Sequence, residues 1–157
     1  MDQVTATGST TGKGEGFMQN VNAINRHGHT ALMDAAKTGD VDAVKDLLNR
    51  GADLNARSAK GKTALHYAAA NGHVEVVNLL LTNGAEIDLR DRDGHTPLML
   101  SAIYGCNHTV QALLAGGADA AFKTPTGNTA LVYAELNNHP LALALLKKSL
   151  RAKEITA

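Results

Sequence analysis

Aromatic side chains are nearly missing from this chain: they make up 3% of its 157 residues, with two Phe, three Tyr and no Trp. Hydrophobic residues still account for 44%. Ala and Leu therefore carry much of the apolar content, which suits closely packed helices better than a strand-rich fold. The single cysteine, Cys106, cannot form an intramolecular disulfide, and nothing in the sequence asks for an oxidising compartment. No charge of one sign prevails, since fifteen basic residues balance fifteen acidic ones. A general nucleic-acid binder would show a cationic excess, and this chain has none. Long hydrophobic runs are lacking too. The longest, Leu141 to Leu146, is far too short to span a bilayer, and no secretory apolar core appears near the N-terminus. These absences lead to the expectation of a soluble cytoplasmic protein of one domain, large enough for a core without disulfides or metal.

What is present is repetition. The opening stretch MDQVTATGSTTGKGEG is rich in Gly and Thr and too polar to offset its ordering entropy, so residues 1–20 are expected to form a flexible tail. Beyond it, Gly28, Gly61, Gly94 and Gly127 recur at a spacing of 33 residues. Thr30, Thr63, Thr96 and Thr129 follow in the same register, as do Leu32, Leu65, Leu98 and Leu131. The leucine pairs Leu47-Leu48, Leu80-Leu81 and Leu113-Leu114 keep step. A fixed period held over four units is the signature of a solenoid.

Each unit has a physical reading. Thr in the "GxT" turn is placed to cap a short alanine-rich helix, and Thr96-Pro97 adds a proline suited to the first helical position. The helix ends at Gly39, Gly72 or Gly105, where a left-handed residue is wanted, and at Asn138 in the fourth unit. A second helix follows with one apolar stripe, as in Val74, Val77, Leu80 and Leu81. It stops at Gly51, Gly84 or Gly117. The last helix, LALALLKKSLRAKE, turns polar only after Leu146 and is expected to continue past Lys148 and shield the end of the stack.

The units GHTALMDAAKTGDVDAVKDLLNRGADLNAR, GKTALHYAAANGHVEVVNLLLTNGAEIDLR and GHTPLMLSAIYGCNHTVQALLAGGADAAFK resemble ankyrin repeats along their length. GNTALVYAELNNHPLALALLKKSL resembles a degenerate terminal unit. The resemblance implies an all-α solenoid of stacked helix-turn-helix units with β-hairpin-like loops, in a domain over 21–157. Its units span about 25–57, 58–90, 91–123 and 124–157, the terminal ones acting as caps. It also implies a function, the binding of another protein on the concave face, and a His at the position of His66 that hydrogen-bonds loop backbone.

Other chemistry fares less well. A phosphate loop would need glycine at position 56 to use Gly61-Lys62-Thr63, and Ala56 stands there; Gly8 to Gly14 is one residue short and lacks the magnesium-binding hydroxyl. His29 and His95 share one repeat position and His73 and His139 another, so the repeat accounts for them without a ligand role. His27, His29 and His95 could converge near the loops, but no Cys or carboxylate framework is evident beside them. Cys106 and His108 lie in an interhelical turn that supplies neither an oriented base nor an oxyanion pocket. No cofactor, metal or catalytic residue is therefore expected, and the chain is read as a non-enzyme.

On the geometry the resemblance implies, the residue six after each repeat glycine looks onto the concave face: Asp34, Tyr67, Leu100 and Tyr133. Positions nine and ten are Lys37-Thr38, Ala70-Asn71, Ile103-Tyr104 and Leu136-Asn137. All three tyrosines thus fall on the expected binding face, with Leu100 and Ile103 between them. Tyr67 and Tyr133 have a second reading, as packing between neighbouring inner helices. The loop residues Arg26, His27, Arg57, Lys60, Lys62, Arg90, Arg92 and Asp93 form a mostly basic rim, which either steers an acidic partner or only keeps the edge solvated. Arg57, Lys60, Lys62, Arg92 and His95, with Lys37, complete the expected contact set. The expectation is a monomer that binds a protein partner, as an inhibitor, immunity or adaptor protein, and neither nucleic acid nor membrane. Two alternatives stay open: a redox- or metal-responsive sensor or enzyme using Cys106 or the histidines, and a self-associating structural protein.

Overall fold

The computed structural model describes residues 20–156. All of the expected tail but its last residue lies outside them. The described residues form eight helices and no strand: α1 (Ala31–Thr38), α2 (Val41–Asn49), α3 (Ala64–Ala70), α4 (Val74–Thr82), α5 (Pro97–Ile103), α6 (Asn107–Ala115), α7 (Ala130–Leu136) and α8 (Pro140–Thr156). Consecutive helices pair into four units. The inner helices α1, α3, α5 and α7 pack in order, and so do the outer helices α2, α4, α6 and α8.

The local signals act as their chemistry requires. The hydroxyls of Thr30, Thr63, Thr96 and Thr129 each accept a backbone N–H from the first turn of the helix they precede, at 3.2 to 3.4 Å. Pro97 opens α5. Asn138, with φ 59°, does for the α7–α8 junction what a glycine does in the other units. Leu65, Leu80, Leu98, Leu113 and Leu146 are wholly or almost wholly buried and run through the stack as one core. No single unit could bury both of its faces, so stability rests on the interfaces between units.

The turns before the inner helices resemble hairpin tips without reaching strand length. In the second unit Ser58 N–H donates to the Lys62 carbonyl at 2.9 Å, and Gly61 N–H to the Ser58 carbonyl at 2.8 Å; the other three turns repeat the pattern. One short polar side chain holds each turn: Asn25, Ser58, Asp91 and Thr124 accept backbone N–H groups of their own loops. A second ladder joins successive loops. The N–H groups of Asp53, Glu86 and Asp119 donate to Asn22, Asn55 and Asp88 at 2.7, 3.0 and 3.1 Å.

Helix α8 passes Lys148, as expected, and runs for 17 residues to Thr156. Ala142 and Leu146 are buried against the stack. Lys153 Nζ donates to Asp119 Oδ1 at 3.4 Å, so the last helix reaches back to the loop that follows the third unit.

Candidate functional site

The turns and the exposed stripe of the inner helices lie on one side of the stack. Tyr67 on α3 fixes this relation, because its Oη lies 3.0 Å from His29 Nε2 and 3.1 Å from Ser58 Oγ, both loop residues. Its ring also tilts against the His29 imidazole at 4.9 Å. Asp34 Oδ1 sits 2.9 Å from His29 Nδ1, and Asn25 Nδ2 donates to Asp34 Oδ2 at 2.8 Å. Tyr133 on α7 repeats the arrangement, its Oη 3.1 Å from His95 Nε2 and its ring edge-on to that imidazole. The two tyrosines therefore pack against the loop of the preceding unit.

Between these two seams the contact changes. Lys62 stands where His29 and His95 stand, and its ammonium pairs with the buried carboxylate of Asp91 in the next unit. Asp91 is well supplied: its Oδ1 accepts the N–H groups of Asp93 and His95 at 3.0 and 2.9 Å. Burial pushes the Asp91 carboxyl up, but the Lys62 ammonium and the His95 N–H outweigh it and hold it below its ordinary value. Leu100, lacking a hydroxyl to meet a loop side chain, is buried at 5% exposure.

The expected contact set must be corrected accordingly. Leu100 belongs to the core and not to the open face. Lys62 is engaged within the chain. Arg57 is exposed, yet its Nη1 donates to the carbonyls of Gly61 and Arg90 at 3.3 and 2.6 Å, joining the second loop to the third. Tyr67, Tyr133 and His95 are half-buried in the seams just described. Lys37, Lys60, Arg92 and Tyr104 are exposed and Ile103 is half-buried. Leu136, at the position in its unit that Ile103 holds, is 70% exposed, and Tyr104 is 62% exposed.

The sequence offered no carboxylate framework for the histidines, but the fold supplies one. Ligand atoms of Asp91, Asp93 and His95 lie within 4.8 Å of one another. The arrangement is already in use: Asp91 holds Lys62 and two N–H groups, and His95 Nε2 holds Tyr133. A lysine ammonium thus sits where a cation would draw most from the buried carboxylate. Three of the remaining histidines are structural as well. His73 and His139 each place Nε2 3.0 Å from a carbonyl at the end of the preceding inner helix, those of Lys37 and Ile103. His66 Nε2 lies 2.9 Å from the His95 carbonyl while its Nδ1 accepts the Thr63 N–H at 3.0 Å, the loop-backbone role expected of it.

Cys106 takes the place of His73 and His139 in its unit, with Sγ 3.6 Å from the Ala70 carbonyl. Burial pushes its thiol up, against a smaller opposing effect of the Thr109 hydroxyl. That is the reverse of what an activated thiolate requires. Among the described residues no helix is long and apolar enough to cross a membrane.

No curated protein matches the chain. The family model for ankyrin repeats, three copies, matches residues 15–91 and again 65–156. With capped inner helices, stacked outer helices and loop turns recurring in register over the same residues, the chain belongs to the ankyrin-repeat family, whose members are in general protein–protein interaction modules.

Proposed function

We propose that this protein binds a partner protein through the face formed by the loop turns and the C-terminal ends of the inner helices, as a monomeric, non-enzymatic inhibitor, immunity or adaptor protein. The observation that carries the reading is the pair Tyr104 and Leu136. Both are large, apolar and well exposed at the ends of neighbouring inner helices, beside Ile103. An exposed tyrosine next to aliphatic side chains can bury much area on docking while keeping a polar tip. The seams of Tyr67 and Tyr133 hold the surface in one shape beforehand, which lowers the ordering cost of association. Cytoplasmic residence belongs to the same reading and rests on the single, half-buried cysteine, which requires no partner.

The test is site-directed photocrosslinking. A benzophenone side chain at position 104 is expected to capture a partner protein from the native host lysate. The same group at Asn78, exposed on the outer helix α4, is expected to capture none. Capture from position 78 alone would place the partner on the outer row and overturn the proposal.

A further inference from the structure

The neutral chain conceals a division of charge. The loop tips carry Arg26, Lys60 and Arg92, one exposed cation from each of the first three units. These tips are stacked: Arg92 N–H donates to the Lys60 carbonyl at 3.1 Å, and the Gly28 turn lies against Ala59. Lys37 adds an exposed cation at the end of α1. The acids on this side are Asp93 and Glu135, both exposed, and Asp34, a half-buried residue whose carboxylate is held by Asn25 and His29. In the outer row of the first two units the balance reverses, with exposed Asp40, Asp42, Asp46 and Glu75 against Lys45 and Arg50. The apolar group of Ile103, Tyr104 and Leu136 lies at the other end of the same face, in the third and fourth units.

From this division we infer that the docked segment is an acidic polypeptide with an apolar anchor at one end. Its carboxylates lie along the tips of Arg26, Lys60 and Arg92, and its anchor lies on Tyr104 and Leu136. The inference rests on the docking-face reading above and adds the chemistry and direction of the partner. Exposed ion pairs alone contribute little affinity, but a row of one sign steers and orients an incoming chain. The apolar end supplies the area that charge cannot. A nucleic acid matches the face less well: Asp93 interrupts the row beside Arg92, and Leu136 and Ile103 offer nothing to a phosphate backbone.

Amide chemical-shift mapping by NMR tests the inference with four probes: octaglutamate, octaglutamate extended by Leu-Phe-Leu, octalysine and an oligothymidine of similar length. Octaglutamate is expected to perturb amides around positions 26, 60 and 92, and the effect is expected to vanish in about 0.5 M salt. The extended peptide is expected to bind about tenfold more tightly and to perturb residues around 104 and 136 as well. The Arg26→Ala/Lys60→Ala/Arg92→Ala variant, which keeps every backbone bond of the tips, is expected to lose the octaglutamate response with its other amide shifts unchanged. Tyr104→Ala/Leu136→Ala is expected to lose only the tenfold gain. A response confined to the cations of α8, a response to octalysine on this face, or oligothymidine binding as tight as the extended peptide would each overturn the inference. If the peptides fail while crosslinking from position 104 succeeds, the docking face stands and its partner is not acidic.

Discussion

The imidazole of His66 meets the main-chain carbonyl of His95 at 2.9 Å across the boundary between the second and third units. The ring is wholly buried, and burial, the dominant influence, lowers its pKa to about 4; the His95 carbonyl and Asp91 oppose this, while Lys62 and Arg57 add to it. The folded state therefore favours neutral His66 more than the unfolded state does. Its contribution is fully present above about pH 6.5, declines as pH falls toward 4 and levels off below that, for a total of about 3 kcal/mol. Met33 and Met99 occupy the same position in their units. His66→Met is expected to cost about 1–2 kcal/mol at pH 8, because the His95 carbonyl loses its donor. The deficit should shrink as pH falls below 6.5 and reverse before pH 4, because the loss in the native protein exceeds it. Urea denaturation of both proteins across that range checks it; a pH-independent difference would refute the assignment.

Asp88 accepts the Asp119 N–H in a ladder where the first two rungs use the neutral amides of Asn22 and Asn55. Burial raises the Asp88 carboxyl, and nearby Asp119 adds to the rise, although the Asp119 N–H and Lys153 oppose it. Asp88→Asn keeps the acceptor and removes the half-buried charge. It is expected to stabilise the protein by about 0.5–1 kcal/mol at pH 7, measured as a higher urea midpoint with an unchanged slope.

The stack was readable from the sequence because its signals are either periodic or local. Threonine caps, the turn before α8 at Asn138, the leucine pairs and the length of α8 depend on a residue's own segment or on its register. The direction of a face residue depends on the units on either side of it. His29 and His95 reach forward to Tyr67 and Tyr133, whereas Lys62 turns to Asp91 and Leu100 sinks into the core. Knowing that positions 67, 100 and 133 correspond could not separate these outcomes. The loop anchors Asn25, Ser58, Asp91 and Thr124 did carry a signal, since short polar acceptors recur there at the repeat spacing. Their partners are backbone N–H groups, which leave no mark in a sequence.

Gly105 and Gly117 both adopt positive φ, 68° and 96°, so alanine is strained at either. Their surroundings differ. A Cβ on Gly105 would lie 2.5 Å from His139 Nδ1, whereas one on Gly117 would meet nothing within 4 Å. Gly117→Ala is expected to cost about 1 kcal/mol. Gly105→Ala should cost about 2–3 kcal/mol, because the His139 ring must also leave the Ile103 carbonyl. Thermal unfolding of the two variants should rank them in that order.

Cys106 fills with a thiol the position where His73 and His139 bond the preceding inner helix. Gly72 leaves space beside it, as Gly39 and Gly105 do beside the two histidines. Cys106→His is therefore expected to raise stability by about 0.5–1 kcal/mol through a bond to the Ala70 carbonyl. In the native protein the raised thiol should react more slowly with a disulfide reagent at pH 7 than a free cysteine does. Faster reaction would revive a redox role.

Tyr67 and Tyr104 separate the scaffold of the docking face from its contacts. Tyr67→Phe removes the Oη contacts to His29 and Ser58, and is expected to cost about 1 kcal/mol of stability. Tyr104 is 62% exposed, so Tyr104→Ala should change stability by no more than about 0.5 kcal/mol. In partner binding the order reverses. Tyr104→Ala should weaken association by about tenfold or more, mainly through faster dissociation, while Tyr67→Phe leaves the contact surface in place. Denaturation beside binding kinetics with the crosslinked partner measures both quantities. If Tyr104→Ala binds as the native protein does, the docking face lies elsewhere on the stack.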